Sequence, residues 1–393
     1  MSTMKRLLPT IVVAALLSAC GGSGEQAGDE PAREVPTPPV SASSVPSTPP
    51  STTPPTTTRP EGPNCEPVVA DMSTRQRLAQ LLVVGVDPAD PAAAVALVDQ
   101  EQIGGIFIGG NATQLLTGDA LARVQQAARL PVSVAVDDEG GRVQRIDELS
   151  GSIPSAREMA RTMTPEQVRA LALERGRALQ THGVTVNYAP DVDLTDGPSD
   201  GVIGDRSFSA DPAVARKYAV AFAQGMSEAG VQPVVKHFPG HGRADGDSHA
   251  SLVRTPPLAD LRGNDLLPYE RIGEYGEGTG VMVGHLDVPG LTGGEPASLS
   301  PATYELLRGE FGFQGPALTD DLGAMKAISD RYPLPEAVLR ALQAGADQPL
   351  WSSGGQVDVV LDRLEQATSS GELPQTRVRE ALDRVLLAKG ACG

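Results

Sequence analysis

The residues from Lys236 to His249 read Lys-His-Phe-Pro-Gly-His-Gly-Arg-Ala-Asp-Gly-Asp-Ser-His and hold three of the chain's five histidines. They follow a mostly apolar run, Val231-Gln232-Pro233-Val234-Val235, and so read as a strand opening into a loop full of proton-transfer groups. His237 and His241 stand four apart, a spacing that would pair them as metal ligands on a helix. Pro239-Gly240 between them argues against a helix, and neither a metal nor any other cofactor is expected. Asp247-Ser248-His249 points to different chemistry. A carboxylate two residues from an imidazole in a bent loop can accept its N–H and fix its tautomer, which makes the histidine a general acid/base. The bland alternative is a surface loop whose glycines only turn the chain.

Three further stretches belong with this one: Val136-Asp137-Asp138-Glu139-Gly140-Gly141-Arg142-Val143-Gln144-Arg145, Gly204-Asp205-Arg206-Ser207-Phe208 and Leu318-Thr319-Asp320-Asp321-Leu322. Shorter matches lie at Gln80-Leu81-Leu82, Asn187-Tyr188-Ala189-Pro190, Pro296-Ala297-Ser298-Leu299 and Ala344-Gly345-Ala346-Asp347. In this order, over roughly residues 72–390, the chain resembles the bacterial family 3 glycoside hydrolases of the β-N-acetylglucosaminidase type, in their lipoprotein form.

The resemblance implies a retaining, exo-acting β-N-acetylglucosaminidase that removes terminal GlcNAc from short peptidoglycan-derived fragments by double displacement. Asp320 is implied as the nucleophile, and His249 held by Asp247 as the acid and then the base. Asp137, Arg145, Arg206, Lys236 and His237 are implied as the residues that hold the sugar, with Asn187 and His285 as further lining candidates. A histidine in place of the usual second carboxyl makes physical sense, because a neutral imidazole brings no second negative charge near the nucleophile. Two departures stand out. Asp138 occupies a place where the family commonly has Gln and adds negative charge beside Asp137, and Arg243-Ala244 replaces a frequent Asp-Thr. The alternatives are a phosphorylase using phosphate as acceptor, and a lipid-anchored sugar-binding protein without turnover, which would be built of two lobes.

Eight apolar or small-residue runs could carry these groups: Leu81 to Val86, Gly105 to Ile108, Val132 to Val136, Thr185 to Tyr188, Gln232 to Val235, Gly280 to Val283, Gly315 to Leu318 and Ala346 to Leu350. Helix-like segments alternate with them, among them Thr113 to Arg129, Thr164 to His182, Asp211 to Ala229, Ser300 to Phe311 and Pro335 to Ala344. Eight strand-helix repeats predict a single α/β domain, a (β/α)₈ TIM-type barrel. Asp137, Lys236, His237, His285, Asp320 and Trp351 follow the predicted strands directly or within two residues, where such barrels gather their chemistry. Side chains alternate along a strand, so only one of Asp320 and Asp321 can face a substrate, and Asp321 suits a cap on the following helix.

The start of the chain reads as an export signal. Lys5 and Arg6 precede the apolar stretch Leu7 to Leu17, which is too short to span a bilayer, and Leu17-Ser18-Ala19-Cys20 resembles a lipobox. Residues 1–19 are expected to be removed, Cys20 to carry lipid, and residues 20–64, rich in Pro, Ser and Thr, to form a tether. The catalytic body would be residues 65–393, held at the outer face of the cell membrane. A net charge of −17 argues against nucleic acid and against electrostatic adhesion to anionic lipid. Aromatic residues make up only 3% of the chain, which favours a short pocket for a small glycan or muropeptide over a long polysaccharide cleft. With Cys20 lipidated, Cys65 and Cys392 remain at the two ends of the body. Domain termini lie close together, so these two are expected to form a disulfide worth roughly 5 kcal/mol by loop entropy.

Overall fold

The computed structural model describes residues 64–392; the expected signal peptide, Cys20 and the tether lie outside the described residues. The strands in chain order are β1 (Val83–Val86), β2 (Gly105–Ile108), β3 (Ser133–Val136), β4 (Val186–Asn187), β5 (Gln232–Phe238), β6 (Val253–Arg254), β7 (Gly280–Val283), β8 (Leu286–Asp287), β9 (Ala317–Asp321) and β10 (Gln348–Trp351). Eight of them close a barrel in the order β1-β10-β9-β7-β5-β4-β3-β2, with every pair parallel, while β6 and β8 form a separate two-stranded sheet. The expected (β/α)₈ barrel is therefore present, and each of the eight predicted runs supplies one of its strands. Among the described residues no helix is long and apolar enough to cross a membrane.

The barrel axis is filled by one side chain from every strand: Val83, Phe107, Ala135, Val186, Val234, Met282, Leu318 and Leu350, with Tyr188 above them. Side chains on a strand repeat with period two, so this layer decides what faces the mouth. Two residues beyond Ala135, Val234 and Leu318 come Asp137, Lys236 and Asp320. The carboxyl end of the barrel thus receives two acids and a lysine on its axis.

The opposite parity points at the helices. Asp138 shares its side with Val134 and Val136, is fully buried, and is gripped by Arg175, with Nε and Nη2 at 2.7 and 2.9 Å from its two carboxylate oxygens. Arg175 stands on the helix Pro165–Thr181, which starts with a capping box built by Thr164 and Gln167. Asp138 also accepts the N–H of Arg145 at 2.8 Å and that of Ile146 at 3.3 Å, and its own N–H and carbonyl are held by the side chain of Asn187. This corrects the expectation that Asp138 adds negative charge to the site: its charge is neutralised behind the strand, where it shapes the loop after β3. Arg243 is likewise engaged, donating to Asp265 through Nε at 2.9 Å.

Local chemistry explains the other differences from the sequence reading. The segment Thr113 to Arg129 is broken into a turn at Gln114–Leu116 and a helix at Ala120–Ala127, because Gly118 adopts φ +62° between them. Strands β5 and β9 run further than predicted, to Phe238 and Asp321, so Lys236, His237 and Asp320 lie inside strands and not after them. Trp351 ends β10 fully buried, with Nε1 donating to the Gly355 carbonyl, and offers no platform to a sugar.

At the far end of the chain, the helix Gln375–Ala388 lies across the amino-terminal pole of the barrel. Arg377 reaches the Ala346 carbonyl before β10, and Lys389 reaches the Gly104 carbonyl before β2. Cys65 and Cys392 are joined there, with Cα atoms 4.6 Å apart across 327 residues. Peptide mapping without reductant should recover the two cysteines as one linked fragment, and reduction should lower the melting temperature, since a ring this long stabilises by roughly 5 kcal/mol. Two freely alkylated thiols in native protein would contradict this. Replacing Arg175 by Met should cost roughly 3–5 kcal/mol, because Asp138 is left buried and unpaired. The double replacement Asp138→Asn/Arg175→Met should cost less than the two single losses together when measured by denaturant unfolding.

Candidate active site

The carboxyl end of the barrel opens into a cleft of about 320 Å³ whose lining includes Asp137, Glu139, Arg206, Lys236, His237, His249 and Asp320. A second hollow of about 420 Å³ adjoins it, sharing Asp137, His249 and Asp320 and adding Phe107, Arg145, Met325 and Ser352. A larger cavity of about 460 Å³ lies at the opposite pole beside Lys389, but no carboxylate lines it, so it lacks the groups for acid/base work.

The floor of the cleft is a shared ion cluster. Lys236 is buried, with Nζ at 2.6 Å from both Asp137 Oδ1 and Glu139 Oε1. Arg206 clasps Glu139 with two parallel bonds of 2.7 and 2.8 Å and lies 3.3 Å from Asp191. Burial opposes the charge of Glu139, but Arg206 and Lys236 outweigh it and hold the carboxyl far below its usual range. Burial likewise disfavours the Lys236 ammonium, and Asp137 and Glu139 overcome it and raise its pKa. The register of β5 against β7 shifts between Val235 and Phe238, and within that shift the consecutive residues Lys236 and His237 both reach the cleft.

His237 is held from behind, its Nδ1 at 2.7 Å from Asp193 Oδ2. Burial dominates its titration and pushes it down, so its free edge faces the cleft as a neutral imidazole at neutral pH. Asp191, Asp193 and His237 offer ligand atoms within 4.8 Å of one another, the one grouping of metal-ligand type found among the described residues. Two of its members hold each other, Asp193 and His237; Asp191 Oδ2 lies 3.3 Å from Arg206 with no hydrogen-bond partner, and burial raises the pKa of both carboxyls.

Asp320 projects from β9 toward this cluster. Burial alone would favour its neutral form; the positive charge that His285 and His237 carry once protonated at low pH, the Asp321 N–H at 2.8 Å and the Lys236 ammonium outweigh it and hold the carboxyl at about 2. It is therefore an ionised carboxylate over the whole working range of an enzyme. Asp321 turns the other way, accepting the N–H groups of Gly323, Ala324 and Ser352 and the Ser352 hydroxyl. It ties β9 to β10 and closes a turn, whereas the sequence suggested a helix cap. His285 lies fully buried beneath the pair, with Nε2–H donating to the Asp321 carbonyl at 2.9 Å and Nδ1 accepting from Ser298 at 2.7 Å. Neither it nor Asn187 lines the cleft; His285 holds the Asp321 carbonyl next to Asp320, and Asn187 holds the backbone of Asp138 between Asp137 and Glu139.

His249 hangs over the mouth, its side chain 69% exposed. Its Nδ1 and its backbone N–H both reach Asp247 Oδ1, at 2.8 and 2.9 Å. Partial burial disfavours the Asp247 charge, but these bonds prevail and lower its pKa. With Nδ1–H donated to the carboxylate, Nε2 is left to give or take a proton in the cleft. Arg145 stays at the edge, its Nη1 on the Gln144 carbonyl. All eight residues expected at the site thus gather at one pole. Reading the sequence missed Glu139, Asp191 and Asp193. Glu139 sits inside a quoted motif and the other two follow Asn187-Tyr188-Ala189-Pro190, but nothing in their spacing says that they turn inward.

Comparison with known proteins agrees with this geometry. Residues 73–388 match the Glycosyl hydrolase family 3 N terminal domain. The chain is 53% identical over 336 residues to the beta-hexosaminidase LpqI of Mycobacterium tuberculosis, covering 83% of this chain and 86% of that one. Among solved structures it is similar to a family 3 glycosyl hydrolase of Mycobacterium smegmatis, with 53% identity, a TM-score of 0.79, and coverage of 83% of this chain and 99% of the other. It is also similar to a beta-N-acetylhexosaminidase of Beutenbergia cavernae, with 26% identity, a TM-score of 0.74, and coverage of 82% and 99%. The chain belongs to family 3 of the glycosyl hydrolases and is a glycoside hydrolase.

Proposed function

We propose that this hydrolase is a retaining exo-β-N-acetylglucosaminidase that works on short glycans. The observation that carries the reading is the pairing of an ionised Asp320 with an imidazole, His249, whose Nδ1 is occupied by Asp247, on one cleft. Asp320 attacks the anomeric carbon while His249, as imidazolium, protonates the departing oxygen; water then attacks the glycosyl-enzyme with His249 as base. Configuration is retained because two inversions occur. Asp137, Arg145, Arg206, Lys236 and His237 hold the terminal sugar, since charged donors and acceptors on a rigid floor can bind several hydroxyls at once. Two adjoining hollows meeting at Asp320 and His249 suit one terminal sugar and one leaving sugar.

The natural substrate in this reading is a peptidoglycan-derived fragment bearing terminal GlcNAc. Export, lipidation at Cys20 and a tether over residues 20–64 would hold the enzyme at the outer face of the cell membrane, as the lipobox-like Leu17-Ser18-Ala19-Cys20 suggests. Mass spectrometry of the N-terminal peptide from a membrane fraction tests this part; an unmodified Cys20 would refute it.

The chemistry is tested on a chromogenic N-acetylglucosaminide. Asp320→Asn should reduce kcat by about 10⁴-fold or more while sugar binding persists, because shape is kept and charge is lost. Near-normal turnover of that variant, with the loss appearing in Asp321→Asn, would move the nucleophile by one residue. His249→Ala should lose roughly 10²–10⁴-fold on substrates with poor leaving groups. The variant Asp247→Ala/His249→Ala should lose little more, as groups acting as a unit are non-additive. A dinitrophenyl glycoside needs no protonation, so its loss should move to deglycosylation, where added azide restores part of the rate. Multiplicative losses, or no effect of azide, would make His249 a binding residue.

A further inference from the structure

The loop carrying the dyad hides a buried residue between two exposed ones. Asp247 and His249 have side chains 44% and 69% exposed, whereas Ser248 is 2% exposed. The Ser248 hydroxyl points inward and lies 3.0 Å from Nε2 of His241, which is also buried. His241 is fixed in turn, its backbone N–H donating to Asp193 Oδ1 at 2.6 Å. Asp193 is the carboxylate that holds His237 from behind. A continuous path of hydrogen bonds, passing through the His241 backbone N–H, therefore joins the sugar-facing His237 to the middle residue of Asp247-Ser248-His249.

The other contacts that hold this loop from outside are made to its neck and its backbone. Its neck closes through Asp245, which exchanges two bonds with the Arg254 backbone at 3.0 and 2.7 Å. Its outer rim rests on the segment after β9, where the N–H groups of Lys326 and Ala327 donate to the carbonyls of His249 and Ser248 at 3.3 Å. These contacts hold the backbone of the turn, and within it Asp247 and His249 hold each other. The His241 bond is the one that fixes a side chain of Asp247-Ser248-His249 from outside the turn.

We propose that the His241–Ser248 bond pins the dyad loop over the cleft, and that His241 is a positioning residue acting on His249 through Ser248. The inference rests on the acid/base reading of His249 given above. His241 does not line the cleft, so it has no direct route to the sugar. Adjacent residues cannot move independently, so fixing the Ser248 side chain sets where His249 directs Nε2. A hydrogen bond that merely satisfied a buried hydroxyl would affect stability and leave proton transfer alone.

The two roles separate in kinetics of the full chain. Ser248→Ala and His241→Phe are compared with Ser248→Thr, which keeps the hydroxyl, and with His249→Ala as reference. Each is assayed on the β-1,4-linked GlcNAc disaccharide, a poor leaving group, and on the dinitrophenyl N-acetylglucosaminide, with and without azide. Pinning predicts that Ser248→Ala and His241→Phe lose about ten- to a hundredfold in kcat on the disaccharide, with KM within twofold. It predicts that azide restores part of their dinitrophenyl turnover, and that Ser248→Thr stays near the parent. Amide exchange over residues 245–251 should also quicken in Ser248→Ala at unchanged melting temperature. Equal losses on both substrates, losses confined to KM, or no loss would overturn the proposal while His249→Ala still shows its leaving-group dependence. If His249→Ala shows no such dependence, the acid/base reading fails and the pin fails with it. Should one variant not fold, the other carries the same comparison.

Discussion

The structure depends on one buried sharing of charge: Lys236 and Arg206 both grip Glu139, and Lys236 grips Asp137 as well. Each of these groups would be costly to bury alone, and removal of a partner leaves an uncompensated, largely buried ion. The cluster needs the ends of β3 and β5 and the 204–206 turn at fixed distances. Barrel closure supplies them, because β3, β4 and β5 are consecutive neighbours in the sheet. A sugar entering the cleft meets a charged floor that is already oriented and has little left to reorganise.

The proposed nucleophile, Asp320, and the proposed acid/base pair, Asp247 and His249, are built to opposite standards of rigidity. Asp320 lies within a strand, fixed by its neighbour's N–H and set over the buried His285, which burial keeps neutral. His249 rides an exposed loop, its side chain 69% exposed and in contact with water. His237 and His241 sit deeper, and burial lowers the pKa of both. The division suits the proposed roles: a nucleophile must stay charged and aligned, while an acid/base must change charge twice in each turnover.

Opposite the site, the barrel is closed by the helix Gln375–Ala388 and stapled by Cys65–Cys392. The staple joins the two ends of the folded body at the pole that carries no catalytic carboxylate. Its constraint acts on the unfolded chain and leaves the carboxyl-terminal loops free to be shaped by charge and hydrogen bonding.

Much of this was legible beforehand. The eight strands follow from short apolar runs ending in polar or glycine-rich residues, a local signal, and the motif residues are recognisable through the resemblance to family 3 glycoside hydrolases. The cysteine pair needed only counting and the tendency of domain ends to meet. Facing was harder to read. Parallel strands are apolar on both sides, so the pattern alone does not say which way Asp138 faces beside Asp137, and a charge expected in the site is neutralised by Arg175 behind the strand. The sequence by itself determined the element order, the proton-transfer groups and the ends to be stapled, because these depend on near neighbours and residue type. Only the tertiary structure decided which charges pair, since Lys236 and Asp137 stand 99 residues apart and Arg206 and Glu139 stand 67 apart. Those pairings are settled by barrel closure and burial, which no local pattern of residues encodes.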